Sequence, residues 1–80
     1  MEVTLQEALK RLNGSLRLIE GLVPLRLEVL GPEVRVVYPL ATGELLLAQR
    51  MEAGKLVYRL LAPAGFPADS LDRLRARVRD

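Results

Sequence analysis

The chain contains no Cys and no His, which removes thiolate nucleophiles, imidazole bases and Cys/His metal sites at the outset. The remaining chemistry would have to come from carboxylates, hydroxyls, two lysines and a set of arginines. Glu20, Glu28, Glu33, Glu44 and Glu52 fall at expected strand ends and turns, or opposite an arginine. A hydrolytic carboxylate pair must face one cleft, and this spacing brings no two of them to the core side of a sheet. They read as ion-pairing and solubilising groups. No run of oxygen ligands has the spacing of a calcium loop. The hydroxyls are Thr4, Ser15, Thr42 and Ser70, of which Thr4 and Ser70 suit helix caps. Without His, a serine nucleophile needs a lysine base, and Lys10 and Lys55 have no serine motif beside them. Gly31, Gly43, Gly54 and Gly65 sit where turns are expected, not in a phosphate-cradling loop or a dinucleotide fingerprint. The expectation is a protein that is not an enzyme, with no catalytic residues, no metal site and no cofactor.

The arginines offer a second kind of chemistry. Arg73, Arg75, Arg77 and Arg79 form a basic run near the C-terminus. On a helix they divide, two on each flank of a Leu71/Leu74/Val78 stripe, and Asp69, Asp72 and Asp80 offset most of their charge. This pattern is a solvated amphipathic helix whose Arg stems cover the edge of a core. The alternative is a nucleic-acid-binding domain using these four arginines as contacts. Three features weigh against it. The net charge is only +2, the sole aromatics are Tyr38, Tyr58 and Phe66, and both tyrosines belong to the core side of the sheet, leaving no stacking platform.

The elements that must position these groups follow from period and punctuation. Thr4 and Glu7 form a capping box, with Leu5, Ala8, Leu9 and Leu12 as one apolar stripe and Asn13-Gly14 as the left-handed stop. This predicts a helix over 4–13. From Ser15 the period changes to two, and a short strand is possible over 15–20. Leu25, Leu27 and Val29, then Val34, Val36 and Tyr38, then Leu45 and Leu47, then Leu56, Tyr58 and Leu60 alternate with polar residues as four strands. Turns are expected at Gly31-Pro32, Ala41-Thr42-Gly43 and Glu52-Ala53-Gly54. Pairing Val29 with Val34, Tyr38 with Leu45 and Leu47 with Tyr58 keeps each residue on its face and sets Glu28 opposite Arg35. After the connector Ala62-Pro63-Ala64-Gly65, Asp69 or Ser70 caps a second helix over 69–79. The fold class is therefore α+β, an N-terminal helix, a four-stranded antiparallel meander and a C-terminal helix in one domain spanning 1–80. The expected core is Leu5, Leu9, Leu12, Leu16, Leu18, Leu25, Leu27, Val29, Val34, Val36, Tyr38, Leu45, Leu47, Leu56, Tyr58, Leu60, Leu71, Leu74 and Val78.

One feature of this scheme points to function. The opposite side of the sheet carries Leu30, Val37, Leu46, Ala48, Val57 and Leu61 among Arg26, Glu28, Arg35, Glu44, Arg50 and Arg59. A fully solvated face carries less aliphatic surface. Either the second helix crosses to cover it, or it is an interface with an apolar centre and a charged rim. A chain of 80 residues buries only roughly 63% of its unfolded surface, about 4,800 Å² remaining exposed, so a second copy or a protein partner is expected to add stability. No secretory signal occupies Met1–Gly14 and no apolar run approaches a membrane span; the expectation is a cytoplasmic protein with no membrane contact. One Asn, two Gln and five Pro fit a thermophile-like composition.

The order of features resembles the small domain of unknown function in the outer portion of some bacterial anti-sigma-factor regulators. The matching residues are Thr4-Leu5-Gln6-Glu7-Ala8, Pro24-Leu25-Arg26-Leu27-Glu28, Val34 to Tyr38, Gly43 to Gln49, and Tyr58 to Leu60. They span most of the chain, with an abbreviated proline stretch. The resemblance implies a sensory or protein-contact role without catalytic residues. A helix with five bent strands would also resemble the Sm-like plan, whose RNA-binding loop residues have no counterpart here.

Overall fold

The computed structural model describes all 80 residues, as β1 (Glu2–Val3), α1 (Leu5–Arg11), β2 (Leu18–Ile19), β3 (Arg26–Leu30), β4 (Glu33–Leu40), β5 (Gly43–Glu52), β6 (Lys55–Leu61), α2 (Ala68–Arg75) and β7 (Val78–Arg79). The class is α+β. The main sheet has five strands in the order β1-β3-β4-β5-β6, all antiparallel, and β2 pairs with β7 in a separate two-stranded sheet. The meander from β3 to β6 follows the apolar alternation, with Val29 opposite Val34, Glu28 opposite Arg35 and Tyr38 opposite Leu45.

The last hairpin departs from the expected register by two residues. Leu47 faces Leu60 and Gln49 faces Tyr58. The cause is the turn, in which only Ala53 and Gly54 separate the paired Glu52 and Lys55. Their φ values of 52° and 80° are both left-handed, as a two-residue type I′ loop requires. A turn begun one residue earlier would force Glu52 into that region. Because the slip is even, every side chain keeps its face.

The termini differ more. Thr4 caps α1, its hydroxyl accepting from the Glu7 backbone N–H at 3.2 Å, while the Glu7 carboxylate lies 3.8 Å from Arg11 rather than reaching back. Asn13 and Gly14 take left-handed φ, and the Gly14 N–H closes on the Leu9 carbonyl at 2.7 Å. The fifth strand of the main sheet is β1, not the 15–20 segment. It is too short to show a period, and the Met1 backbone holds it to Val29. The second helix begins without a side-chain cap, so neither Asp69 nor Ser70 is the N-cap, and it stops at Arg75. Val78 fits a helical stripe as well as a strand. The β2–β7 ladder bond falls on the neighbouring pair, the Glu20 N–H donating to the Arg77 carbonyl at 2.9 Å, and packing against Ile19 buries Val78, so tertiary packing overrides helix propensity there.

The core lies on one side of the sheet. Val29, Val34, Val36, Tyr38, Leu45, Leu47 and Leu60 from the strands meet Ala8 of α1 and its C-cap Leu12, together with Leu16, Ile19 and Val78, and Leu9, Leu71 and Leu74 pack against this cluster. Leu5, Leu18, Leu25 and Tyr58, expected in the core, are exposed. Ile19 takes the buried place expected of Leu18. Two polar side chains pin the β2 segment. Gln49, 1% exposed, accepts from the Arg17 N–H at 2.7 Å and donates to the Arg17 carbonyl at 3.1 Å. The Tyr38 hydroxyl accepts from the Ile19 N–H at 2.8 Å. These bonds satisfy a backbone that has only β7 as a strand partner.

Candidate interaction surface

Both helices pack on the core side, α1 through Ala8 and Leu9 and α2 through Leu71 and Leu74. The outer side of the sheet is left without a covering element. Alternation places on it Arg26, Glu28 and Leu30 of β3, Glu33, Arg35 and Val37 of β4, Glu44, Leu46, Ala48, Arg50 and Glu52 of β5, and Lys55, Val57, Arg59 and Leu61 of β6.

Arginine and glutamate form a lattice across this face. Arg26 bonds Glu28 on its own strand at 2.8 Å and grips Glu44, two strands away, through two bonds of 2.9 Å. Glu33 takes Arg35 at 2.8 Å and Arg59 at 3.3 Å, and Arg50 pairs with Glu52 at 2.6 Å. Bonding from Arg26 holds the Glu44 carboxyl below the ordinary carboxylate range, against a smaller opposing effect of desolvation. Burial pushes the Glu33 carboxyl up, but Arg35 and then Arg59 more than offset it, so Glu33 is also lowered. The Arg26 guanidinium is raised by its bonds to Glu44 and Glu28.

The lattice changes the status of the six expected interface residues. Arg26 is opposite Val37 and must cross β4 beside it to reach Glu44, leaving Val37 at 0% exposure. Ala48 lies between Arg35 and Arg59, both tied to Glu33, and is 1% exposed. Val37 and Ala48 are therefore buried within the single chain by Arg stems and are not available to a partner. Leu30 (58% exposed) and Val57 are exposed, and Leu46 and Leu61 are half-buried. These four remain the apolar part of the face.

The C-terminal arginines do not share one element. Arg73 and Arg75 lie on α2, Arg77 in the turn after it and Arg79 in β7. Arg73 contacts Ser70, Arg75 pairs with Asp72, and Arg79 bonds the carbonyls of Ala76 and Val78.

Two shallow hollows flank the sheet. One of about 210 Å³ is lined by Glu33, Ala48, Gln49, Arg50, Val57, Tyr58 and Arg59. The other, about 350 Å³, is lined by Leu9, Gly14, Ser15, Leu16, Arg17, Leu56 and Asp80. Each contains one carboxylate side chain, Glu33 in the first and Asp80 in the second, and each of these bonds arginine. No three acidic residues gather as metal ligands, and no helix is long and apolar enough to cross a membrane. No family model, curated protein or solved structure matches the chain.

Arg17 escaped the sequence reading. It stacks on the Tyr58 ring at 5.5 Å from the centroid and pairs with Asp80, while its Nε is buried without a partner. Alternation alone gives no hint of these contacts, because they join segments distant in sequence.

Proposed function

We propose that the chain is a non-catalytic interaction domain that associates with a second copy of itself through the outer face of the sheet. The observation that carries this reading is the placement of both helices on the core side, which leaves Leu30, Leu46, Val57 and Leu61 uncovered. The charges around them suit a copy of the same face. Arg26, Arg35, Arg50 and Arg59 alternate with Glu28, Glu33, Glu44 and Glu52. Such a surface neither repels its own copy strongly nor attracts a polyanion. The accessible surface, 5192 Å², also exceeds the roughly 4,800 Å² typical of a compact monomer of this mass. A regulatory role through protein contact, as in the domain of the anti-sigma-factor regulators that the sequence resembles, is compatible with this architecture and forms part of the proposal.

Leu46 is the test position, set between Val37 and Leu61 in the middle of the face. Size-exclusion chromatography with light scattering should give wild type a mass that is a multiple of 8.9 kDa. Leu46→Glu places a carboxylate in the apolar centre of each copy and should weaken association by about 100-fold or more. A monomeric wild type, or an assembly indifferent to Leu46→Glu, overturns the reading.

A further inference from the structure

The main sheet has two unlike edges. On one side β1 is only two residues long, whereas on the other β6 runs for seven with no strand beyond it. Proteins usually protect such an edge with charged side chains, proline, a bulge or an inward-pointing charge; β6 has only the first, in Lys55 and Arg59. β6 contains no proline, its pairing with β5 is unbroken from Leu61 to Lys55, and its charged residues Lys55 and Arg59 both lie on the outer face.

The turn determines which backbone groups are free. In a two-residue hairpin the closing pair, here Glu52 and Lys55, exchanges both ladder bonds, so Val57, Arg59 and Leu61 also bond inward to β5. The N–H and C=O groups of Leu56, Tyr58 and Leu60 then point away from the sheet, and no turn or loop bond reaches them. A second copy of β6, antiparallel about a two-fold axis perpendicular to the sheet, presents the same groups in the same positions.

Charge selects the register. Centring the axis on Val57 would set Lys55 opposite Arg59 twice, an unfavourable contact. Centring it on Tyr58 sets Leu56 opposite Leu60, Arg59 opposite Val57 and Lys55 opposite Leu61, so no two charged side chains of β6 face each other; the Arg17 guanidinium over each Tyr58 ring lies on the core side. It also makes the core-side row of Leu56, Tyr58 and Leu60 continuous across the junction.

We propose that β6 pairs with β6 of a second copy about Tyr58, joining two five-stranded sheets into one of ten strands. This interface is distinct from the outer face. The edge axis stands perpendicular to the sheet and a face-to-face axis lies parallel to it; with the two meeting at right angles, the two isologous interfaces close into an assembly of four chains.

Light scattering on four proteins tests the edge separately from the face. Wild type should have four times the 8.9 kDa chain mass, and Leu46→Glu should retain twice it. Adding Tyr58→Lys, which brings two ammonium groups together at the axis, should reduce that dimer to single chains. Tyr58→Pro should do the same, because it deletes an outward N–H and no inward ladder bond. A circular dichroism spectrum like that of wild type shows that the fold survives in each. Hydrogen exchange on unmutated protein gives an independent reading: the amides of Leu56, Tyr58 and Leu60 should be protected, and rapid exchange at all three overturns the proposal. A wild type of two chains that becomes monomeric in Leu46→Glu overturns the edge and leaves the face intact. A dimer untouched by Leu46→Glu but split by Tyr58→Lys supports the edge and overturns the face. A monomeric wild type overturns both.

Discussion

Replacing Gln49 by Met should cost about 2–3 kcal/mol, a large loss for a polar position on a strand. Gln49 is 1% exposed and holds both backbone groups of Arg17, at 2.7 and 3.1 Å. Met preserves length and approximate volume, so the packing change is small and the stranded N–H and C=O dominate. Each unsatisfied group costs about 1–3 kcal/mol, and because these bonds are only part-buried the lower half of that range applies. In a domain of this size each kcal/mol shifts Tm by about 4–8 °C, so Tm should fall by roughly 10–20 °C. Tyr38→Phe strands the Ile19 N–H in the same segment and should cost about 1–2 kcal/mol. The double variant should cost less than the sum, since releasing the β2 segment once removes both sets of contacts. Urea unfolding followed by circular dichroism measures all three, and binding of a hydrophobic dye should rise as Leu16, Ile19 and Val78 lose their cover. A loss below about 0.5 kcal/mol for Gln49→Met, or strict additivity, would refute the view that two side chains jointly clasp this segment over the core.

Other perturbations follow from the same geometry. Ala53, at φ 52°, occupies a position that favours Asn, so Ala53→Asn should stabilise by about 0.5–1 kcal/mol; an unchanged or lower urea midpoint would contradict the turn assignment. Glu33 and Glu44 are held below the ordinary carboxylate range in the folded chain. Their contribution is present above the unfolded value of about 4.3 and is lost as pH falls through the depressed values, so stability should decline on acidification below that point. Glu33→Gln should flatten the acid limb, and an acid limb identical to that of wild type would count against the lattice. Burial raises the Tyr38 hydroxyl above its usual value, against a smaller lowering by the Ile19 N–H. The folded state should therefore lose stability as pH rises beyond about 10, and Tyr38→Phe should remove that alkaline dependence. An unchanged alkaline limb in the variant would contradict it. Arg73→Ala with Arg77→Ala should leave self-association unchanged by light scattering, and a fall in mass would assign these residues to the interface.

The strands of the meander were legible from a period of two and the Gly31-Pro32 turn, whereas a turn read at Glu52-Ala53-Gly54 put the last hairpin two residues out of register. What escaped depends on contacts between distant segments. β1 and β2 are two residues each and have no period to read. Val78 satisfies either a helical stripe or a strand until Ile19 is beside it. Gln49 looks like an ordinary polar residue, although its neighbours Leu45 and Leu47 already put it on the buried face. The outer face was recognisable as unusually aliphatic. The burial of Val37 and Ala48 was not, because it is produced by Arg side chains reaching across strands, a property of length and direction that alternation does not encode.

Sedimentation equilibrium of the wild-type chain over a wide concentration range tests the central claim most directly. Self-association through the uncovered face predicts a mass that rises with concentration to a multiple of 8.9 kDa, and a shift of that rise to higher concentration in Leu46→Glu. A mass fixed at 8.9 kDa at every concentration would contradict it.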